Sequence, residues 1–298
     1  MATQYFAFEG DRIAYTREGT GEPILFIGNM GSVKECWTHQ AHALSDRYEV
    51  ICVDHLGLGE SDVPAPGFDV ERYLRFLSAF VDHLAFDRIN YVGNCMGSAM
   101  GLLMAEQRPE RFAKMVIINP LSTQTAKQGK ALRVVRLAER FPRLLTLGLN
   151  AASKLRQPRL KAVGKLFSVA QFGPRNWLGA LMRPLPESLA EAMSFSKPGS
   201  LRSTSEIVCD LPGLSRVDAL RPGPDFPALA VIWGELNIGL SPDAGRVLNG
   251  TLTPRQEIYL PNAGHLAMVE QPEAVTAIIE EFLTADQTAR SVAAVVSK

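Results

Sequence analysis

The sequence predicts an α/β protein: a mostly parallel sheet of eight strands, flanked by helices and interrupted by an inserted helical cap. Three observations carry that prediction. Short apolar runs rich in β-branched residues alternate with stretches of helical periodicity. The alternation stops for about 100 residues after Ile118, where the chain reads as helical throughout. A glycine-flanked turn, Gly93-Asn94-Cys95-Met96-Gly97, joins a strand-like run directly to a helical one. With 298 residues and 46 % hydrophobic content the chain can bury a full core, which excludes disordered and collagen-like classes.

Taken in order, the strands are expected at Gln4 to Phe8, Arg12 to Thr16, Pro23 to Ile27, Glu49 to Val53, Ile89 to Val92, Lys114 to Ile118, Ala228 to Trp233 and Glu257 to Leu260. Helices are expected at Val70 to Leu84, Met96 to Gln107 and Pro272 to Leu283, the last opening on a proline where a missing N–H is tolerated. The core therefore comprises residues 1–120 and 215–298, and the cap residues 121–214. No internal repeat or low-complexity linker breaks this order.

The N-terminus, MATQYFAFEGD, lacks an apolar signal region, and no run approaches the roughly 18 apolar residues of a membrane helix. A soluble, cytoplasmic protein is expected. Cys36, Cys52, Cys95 and Cys209 lie far apart with no C-x-x-C spacing, which argues against a zinc site or a disulfide framework and leaves room for a working thiol. Neither clustered ligands nor a dinucleotide glycine motif is present, so no metal or cofactor is expected.

The chemistry centres on Cys95. A sharp strand-to-helix turn exposes its central side chain and leaves no room for side chains at the flanking glycines, which explains Gly93 and Gly97. The sulfur then stands at a helix N-terminus, whose dipole and free N–H groups are expected to favour thiolate and lower its pKa. A lone G-x-C-x-G is more often a buried structural cysteine. The surrounding motifs favour the functional reading.

Gly93 to Gly97 resembles the nucleophile elbow of the α/β-hydrolase superfamily, with cysteine in place of serine. The helix-ending Ala105-Glu106-Gln107-Arg108-Pro109-Glu110-Arg111 resembles the corresponding stretch there. Asp54-His55-Leu56-Gly57-Leu58-Gly59-Glu60-Ser61-Asp62 is similar to the family's D-x-x-G-x-G-x-S-D loop, and Pro261-Asn262-Ala263-Gly264-His265 to its histidine loop. The resemblance extends over nearly the whole core. It implies the α/β-hydrolase fold, Cys95 as nucleophile and His265 as general base or ion-pair partner, while substrate does not follow from fold. His39 and His42 read as surface helix positions, His55 as a loop residue and His83 as a helix residue. The oxyanion hole is expected from backbone N–H groups at Met96 and, in the turn Gly28-Asn29-Met30-Gly31, at an exposed Asn29. Ile27-Gly28 stands where relatives usually carry His-Gly, so one supporting hydrogen bond is expected to be missing.

The third member of the triad departs from the pattern. Where an Asp usually follows the seventh strand, Trp233-Gly234-Glu235-Leu236-Asn237 supplies an amide; the alternative position after the sixth strand is also an amide, Asn119. A thiol tolerates this better than a hydroxyl, because a Cys/His pair can exist as thiolate and imidazolium and an Asn can orient the ring. Asn237 is the expected orienting residue, with Glu235 or an Asp such as Asp243 as alternatives.

A thioester intermediate reacts more readily with amines, thiols and carbon nucleophiles than an oxygen ester, which points to acyl transfer or cyclisation. Polyhydroxyalkanoate synthases and the Cys-dependent Dieckmann cyclases of tetramate biosynthesis are similar in fold and nucleophile. The alternatives are a hydrolase (thioesterase, esterase or lactonase) and a non-catalytic ligand-binding protein on the same fold. Net charge is zero, yet thirteen Lys and Arg residues between Leu121 and Arg183 stand against Glu139 alone. On a helix, Arg133, Arg136, Arg140 and Arg143 fall within roughly 80° of one another, a basic stripe suited to phosphates or an acidic protein. A substrate carried on an acyl carrier protein or coenzyme A is expected, against the readings of a merely solvated helix face or membrane-surface docking. Nucleic acid is not expected as a partner, since no recognition motif is present.

Overall fold

The structure is a computed structural model, described over residues 2–129 and 197–285. Its framework is an eight-stranded sheet: β1 (Thr3–Phe8), β2 (Asp11–Glu18), β3 (Glu22–Ile27), β4 (Tyr48–Val53), β5 (Ile89–Asn94), β6 (Phe112–Ile118), β7 (Ala228–Gly234) and β8 (Gln256–Leu260). The spatial order is β1-β2-β4-β3-β5-β6-β7-β8. Only β2 runs against its neighbours, β1 and β4; every pairing from β4 through β8 is parallel. Each expected strand is present, extended by a few residues.

The sheet separates two apolar layers, and the period of two along each strand decides which side chain joins which. On β6, Met115 and Ile117 face one layer and Val116 and Ile118 the other. On β7, Leu229, Val231 and Trp233 alternate with Ala230 and Ile232 in the same way. The first layer is closed by α2 (Val70–His83) and α3 (Met96–Gln107), the second by α1 (Thr38–Leu44) and the helix Pro272–Thr284. Helix α2 starts where the Asp69 carboxylate accepts the Arg72 N–H at 2.8 Å, and it buries Val70, Tyr73, Leu74, Leu77, Phe80 and Val81. Helix α3 is buried from Met96 through Ala105, as befits a sequence apolar on all sides.

After β6 come α4 (Thr123–Lys127), capped reciprocally by Ser122 and Thr125, then α5 (Ser200–Val208) and α6 (Leu211–Ala219). Polar bonds tie this stretch to the loop before α2: Asp210 accepts the Val70 N–H at 3.0 Å and Glu206 the Phe68 N–H at 3.2 Å. The arginine stripe from Arg133 to Arg143, with most of the expected cap, lies outside the described residues. The remaining α-helices among the described residues are α7 (Pro242–Leu252), α8 (Ala267–Glu270) and α9 (Pro272–Thr284). No helix among the described residues is long and apolar enough to cross a membrane.

Because β5 to β8 are parallel, the loops leaving their C-terminal ends gather along one edge of the sheet. Those four loops carry Cys95, Asn119, Asn237 and His265.

Candidate active site

Cys95 sits between β5 and α3 with φ 52° and ψ −105°, a conformation that side-chain-bearing residues rarely adopt. The surroundings hold it there. Its N–H donates to Ile118 O at 2.9 Å, its carbonyl accepts from Leu121 N–H at 3.3 Å, and the Gly97 N–H donates to Gly28 O at 3.0 Å. A Cβ on Gly97 would lie 2.3 Å from Ile27 O, and one on Gly93 2.7 Å from the Gly97 backbone, so both glycines are required by close approach. Tyr91, beneath the turn, donates its hydroxyl to Gly97 O at 2.6 Å. Ser98, one turn into α3, caps Gly93 O at 2.8 Å and Ile118 O at 2.9 Å.

The histidine loop is fixed through its backbone. Asn94 and Asn119 each donate a side-chain N–H to His265 O at 3.1 Å, and Asn119 reaches Gly264 O at the same distance. Asn119 Oδ1 in turn accepts the Gly234 N–H at 3.0 Å, linking the ends of β6 and β7 to the loop after β8. Asn119, at the alternative acid position, thus grips the loop backbone rather than the imidazole.

The ring itself meets Asn237. His265 Nδ1 lies 3.1 Å from Asn237 Nδ2 and 3.3 Å from its Oδ1. That Oδ1 also accepts N–H groups from Gly239 at 2.9 Å and Leu240 at 3.0 Å. Of the candidates for orienting residue, Asn237 is the one the fold brings to the ring. Glu235 pairs instead with Arg246 at 3.6 Å, and with Asp243 both line a cavity of about 380 Å³ that also touches Asn237.

Burial corrects one expectation. The Cys95 thiol is pushed up to about 12 by loss of hydration, against which the Met96 N–H works in the other direction. Burial likewise lowers the His265 imidazole to about 4. Both groups are nearly enclosed, at 9 % and 8 % exposure, and this loss of hydration works against the thiolate expected from the helix N-terminus.

The turn after β3 differs from expectation in two respects. Asn29 is buried, 2 % exposed, and its N–H donates to Ser32 Oγ at 3.1 Å. The support expected to be missing there comes from His55, whose Nε2–H donates to Gly28 O at 2.9 Å while its Nδ1 accepts from the Tyr73 hydroxyl. Sequence reasoning assigned His55 only to a loop; its position directly after Asp54 in the glycine motif was the available signal. The rest of that motif is structural. Asp54 accepts N–H groups from Lys34 at 2.8 Å and Glu60 at 2.9 Å and pairs with the buried Lys34 ammonium at 3.0 Å, and a Cβ on Gly59 would strike its carboxylate at 2.3 Å. His39 and His42 lie on α1 and His83 ends α2. Cys36 and Cys52 are buried. Among the described residues no group of three or more His, Cys, Asp and Glu is arranged to hold a metal ion.

The family model described as alpha/beta hydrolase fold matches residues 22–272. Among curated proteins, the chain is similar to haloalkane dehalogenase 2 of Mycobacterium tuberculosis, 26 % identical, with 94 % of each chain covered. Among solved structures it is similar to an alpha/beta hydrolase fold protein from Burkholderia ambifaria, with a TM-score of 0.76, 22 % identity and coverage of 93 % and 96 % of the two chains. It is also similar to the enol-lactonase of Burkholderia xenovorans LB400, with a TM-score of 0.72, 18 % identity and coverage of 95 % and 100 %.

Proposed function

The chain belongs to the α/β-hydrolase fold family, and from that premise we propose that it is an enzyme forming an acyl thioester on Cys95 and passing the acyl group to an acceptor or closing it into a ring. The observation that carries this reading is the identity of the side chain held at the strained elbow: a thiol at φ 52°, on the same edge of the sheet as a histidine that meets an amide. Cys95 Sγ attacks the carbonyl carbon of a thioester donor, the donor's C–S bond breaks, and the proton that Cys95 gives up ends on the departing thiol. His265 is the partner that steadies the sulfur as Cys95 attacks, and Asn237 is its positioning residue. The Met96 N–H, already directed at the sulfur, and the Asn29 N–H are the oxyanion donors, the latter exchanging Ser32 Oγ for the developing charge. The donor is an acyl group on a carrier, an acyl carrier protein or coenzyme A, docked by Arg133, Arg136, Arg140 and Arg143.

A second reading, hydrolysis by the same Cys95, is favoured by the names of relatives such as the enol-lactonase. Product analysis separates the two. The purified chain, given an acyl thioester with a panel of amine, thiol and carbon nucleophiles, is expected to yield acylated acceptor or cyclised product; free acid as sole product with every acceptor would replace transfer by hydrolysis.

A further inference from the structure

We infer that Asn237 holds His265 in the tautomer whose proton is on Nε2, the reverse of the arrangement an acid imposes, and that the site thereby denies water a general base. The argument starts from the amide's orientation. Its oxygen accepts two backbone N–H groups, from Gly239 at 2.9 Å and Leu240 at 3.0 Å, and an amide nitrogen could accept neither. Oxygen and nitrogen are therefore assigned by their partners rather than by choice. With the oxygen so placed, the Nδ2 group faces His265 Nδ1 at 3.1 Å, closer than Oδ1 at 3.3 Å.

Two tautomers can be compared group by group. With the proton on Nε2, Nδ1 is an acceptor and receives the Asn237 N–H, while Oδ1 keeps its two backbone donors, so the contact between amide and ring joins a donor to an acceptor. With the proton on Nδ1, it would crowd onto an oxygen already holding two donors, and the NH₂ group would face a second donor. Asn237 is 4 % exposed, and among the described residues Nδ1 is the acceptor its NH₂ group meets, so that tautomer strands a buried donor. An aspartate at the same place would reverse the preference, because a carboxylate accepts from Gly239, Leu240 and an Nδ1–H together.

The consequence concerns the fate of the acyl group, and it rests on the reading of Cys95 as nucleophile. A ring with Nε2 protonated cannot take a proton from water. The Cys95 thiol passes its proton to the donor's departing thiol as the C–S bond breaks, a transfer that needs no base on the ring, whereas water, with a pKa of about 15.7, is a poor nucleophile at neutral pH without one. Acylation of Cys95 therefore proceeds while hydrolysis of the thioester is suppressed, which leaves the acyl group for acceptors nucleophilic enough to attack without a base, such as neutral amines. Asn237 is a positioning residue that selects transfer over hydrolysis.

The test uses the full chain, labelled with ¹⁵N-histidine. Long-range ¹H–¹⁵N spectra near pH 7 are expected to show His265 protonated at Nε2, and Asn237→Asp to move the proton to Nδ1; assignment comes from the loss of the signal in His265→Gln. A wild-type His265 protonated at Nδ1 overturns the inference whatever the activity. In parallel, the acyl adduct formed from an N-acetylcysteamine thioester is followed by intact mass. In Asn237→Asp its loss to water should accelerate by about ten-fold or more, the reverse of the loss seen when a triad acid becomes an amide. Equal deacylation rates overturn the link to hydrolysis. Failure of either protein to form an adduct overturns the assignment of Cys95 and leaves the spectra to decide the tautomer.

Discussion

Replacing Asn119 by alanine removes the joint between three strand ends without touching Cys95, the His265 ring or Asn237. The side chain donates to Gly264 O and His265 O, both at 3.1 Å, and accepts the Gly234 N–H at 3.0 Å, in a position with no exposure. Leaving the Gly234 N–H buried without its acceptor costs about 1–3 kcal/mol, and the two weakened carbonyl contacts add about 0.5–1.5 kcal/mol each. His265 O keeps Asn94 as a donor, which places its share at the low end. Alanine is also less comfortable than asparagine at φ 47°, so the expected destabilisation is roughly 3 kcal/mol. Urea titration of the full chain should show a lower midpoint at unchanged slope, and kcat should fall because the histidine loop loses its registration. A destabilisation below about 1 kcal/mol, with unchanged kcat, would refute the idea that Asn119 is what sets the loop.

Three further outcomes are expected. Cys95→Ser should leave little activity, since a hydroxyl needs a strong base that a ring oriented by Asn237 does not provide, and in the parent iodoacetamide alkylation of Cys95 should climb with pH beyond 9, with no plateau in the neutral range; a plateau near pH 6 would reveal a thiolate–imidazolium pair. Both His55 and His265 are lowered by burial to about 4, so the unfolded chain binds more protons below its histidine pKa of about 6.5. Stability should therefore decline as pH falls from about 6.5 to about 4, by roughly 1.4 kcal/mol per pH unit for each ring, and His55→Gln should flatten that slope in urea titrations at stepped pH. Changing Arg133, Arg136 and Arg140 together to Gln should raise KM for a carrier-bound donor at low salt, leaving kcat and the handling of an N-acetylcysteamine ester unchanged; identical KM values would mark the stripe as a solvated helix face.

The eight strands were legible because each carries a run of β-branched and aromatic residues long enough to cross the sheet, and Cys95 because its flanking glycines are demanded by contacts with Ile27 and with Gly97 itself. Asn237 could be found by counting from Gly234. Hidden from the sequence were the features that depend on what burial does and on which residues meet across the fold. The helix N-terminus at Met96 argued for thiolate, and enclosure of the sulfur outweighed it. Asn94 occupies the variable position of the elbow motif, and its amide finds its partners, Ile118 O and His265 O, only across the fold. His55 supports Gly28 from 27 residues away in sequence, a contact no local pattern encodes.

The central claim is that Cys95 carries the acyl group. The full chain, incubated with a short-chain acyl N-acetylcysteamine thioester, quenched in acid and mapped by peptide mass, should gain one acyl mass on the peptide containing Cys95, and Cys95→Ala should gain none. An unmodified Cys95 in the presence of product, or an equal adduct in Cys95→Ala, would contradict it.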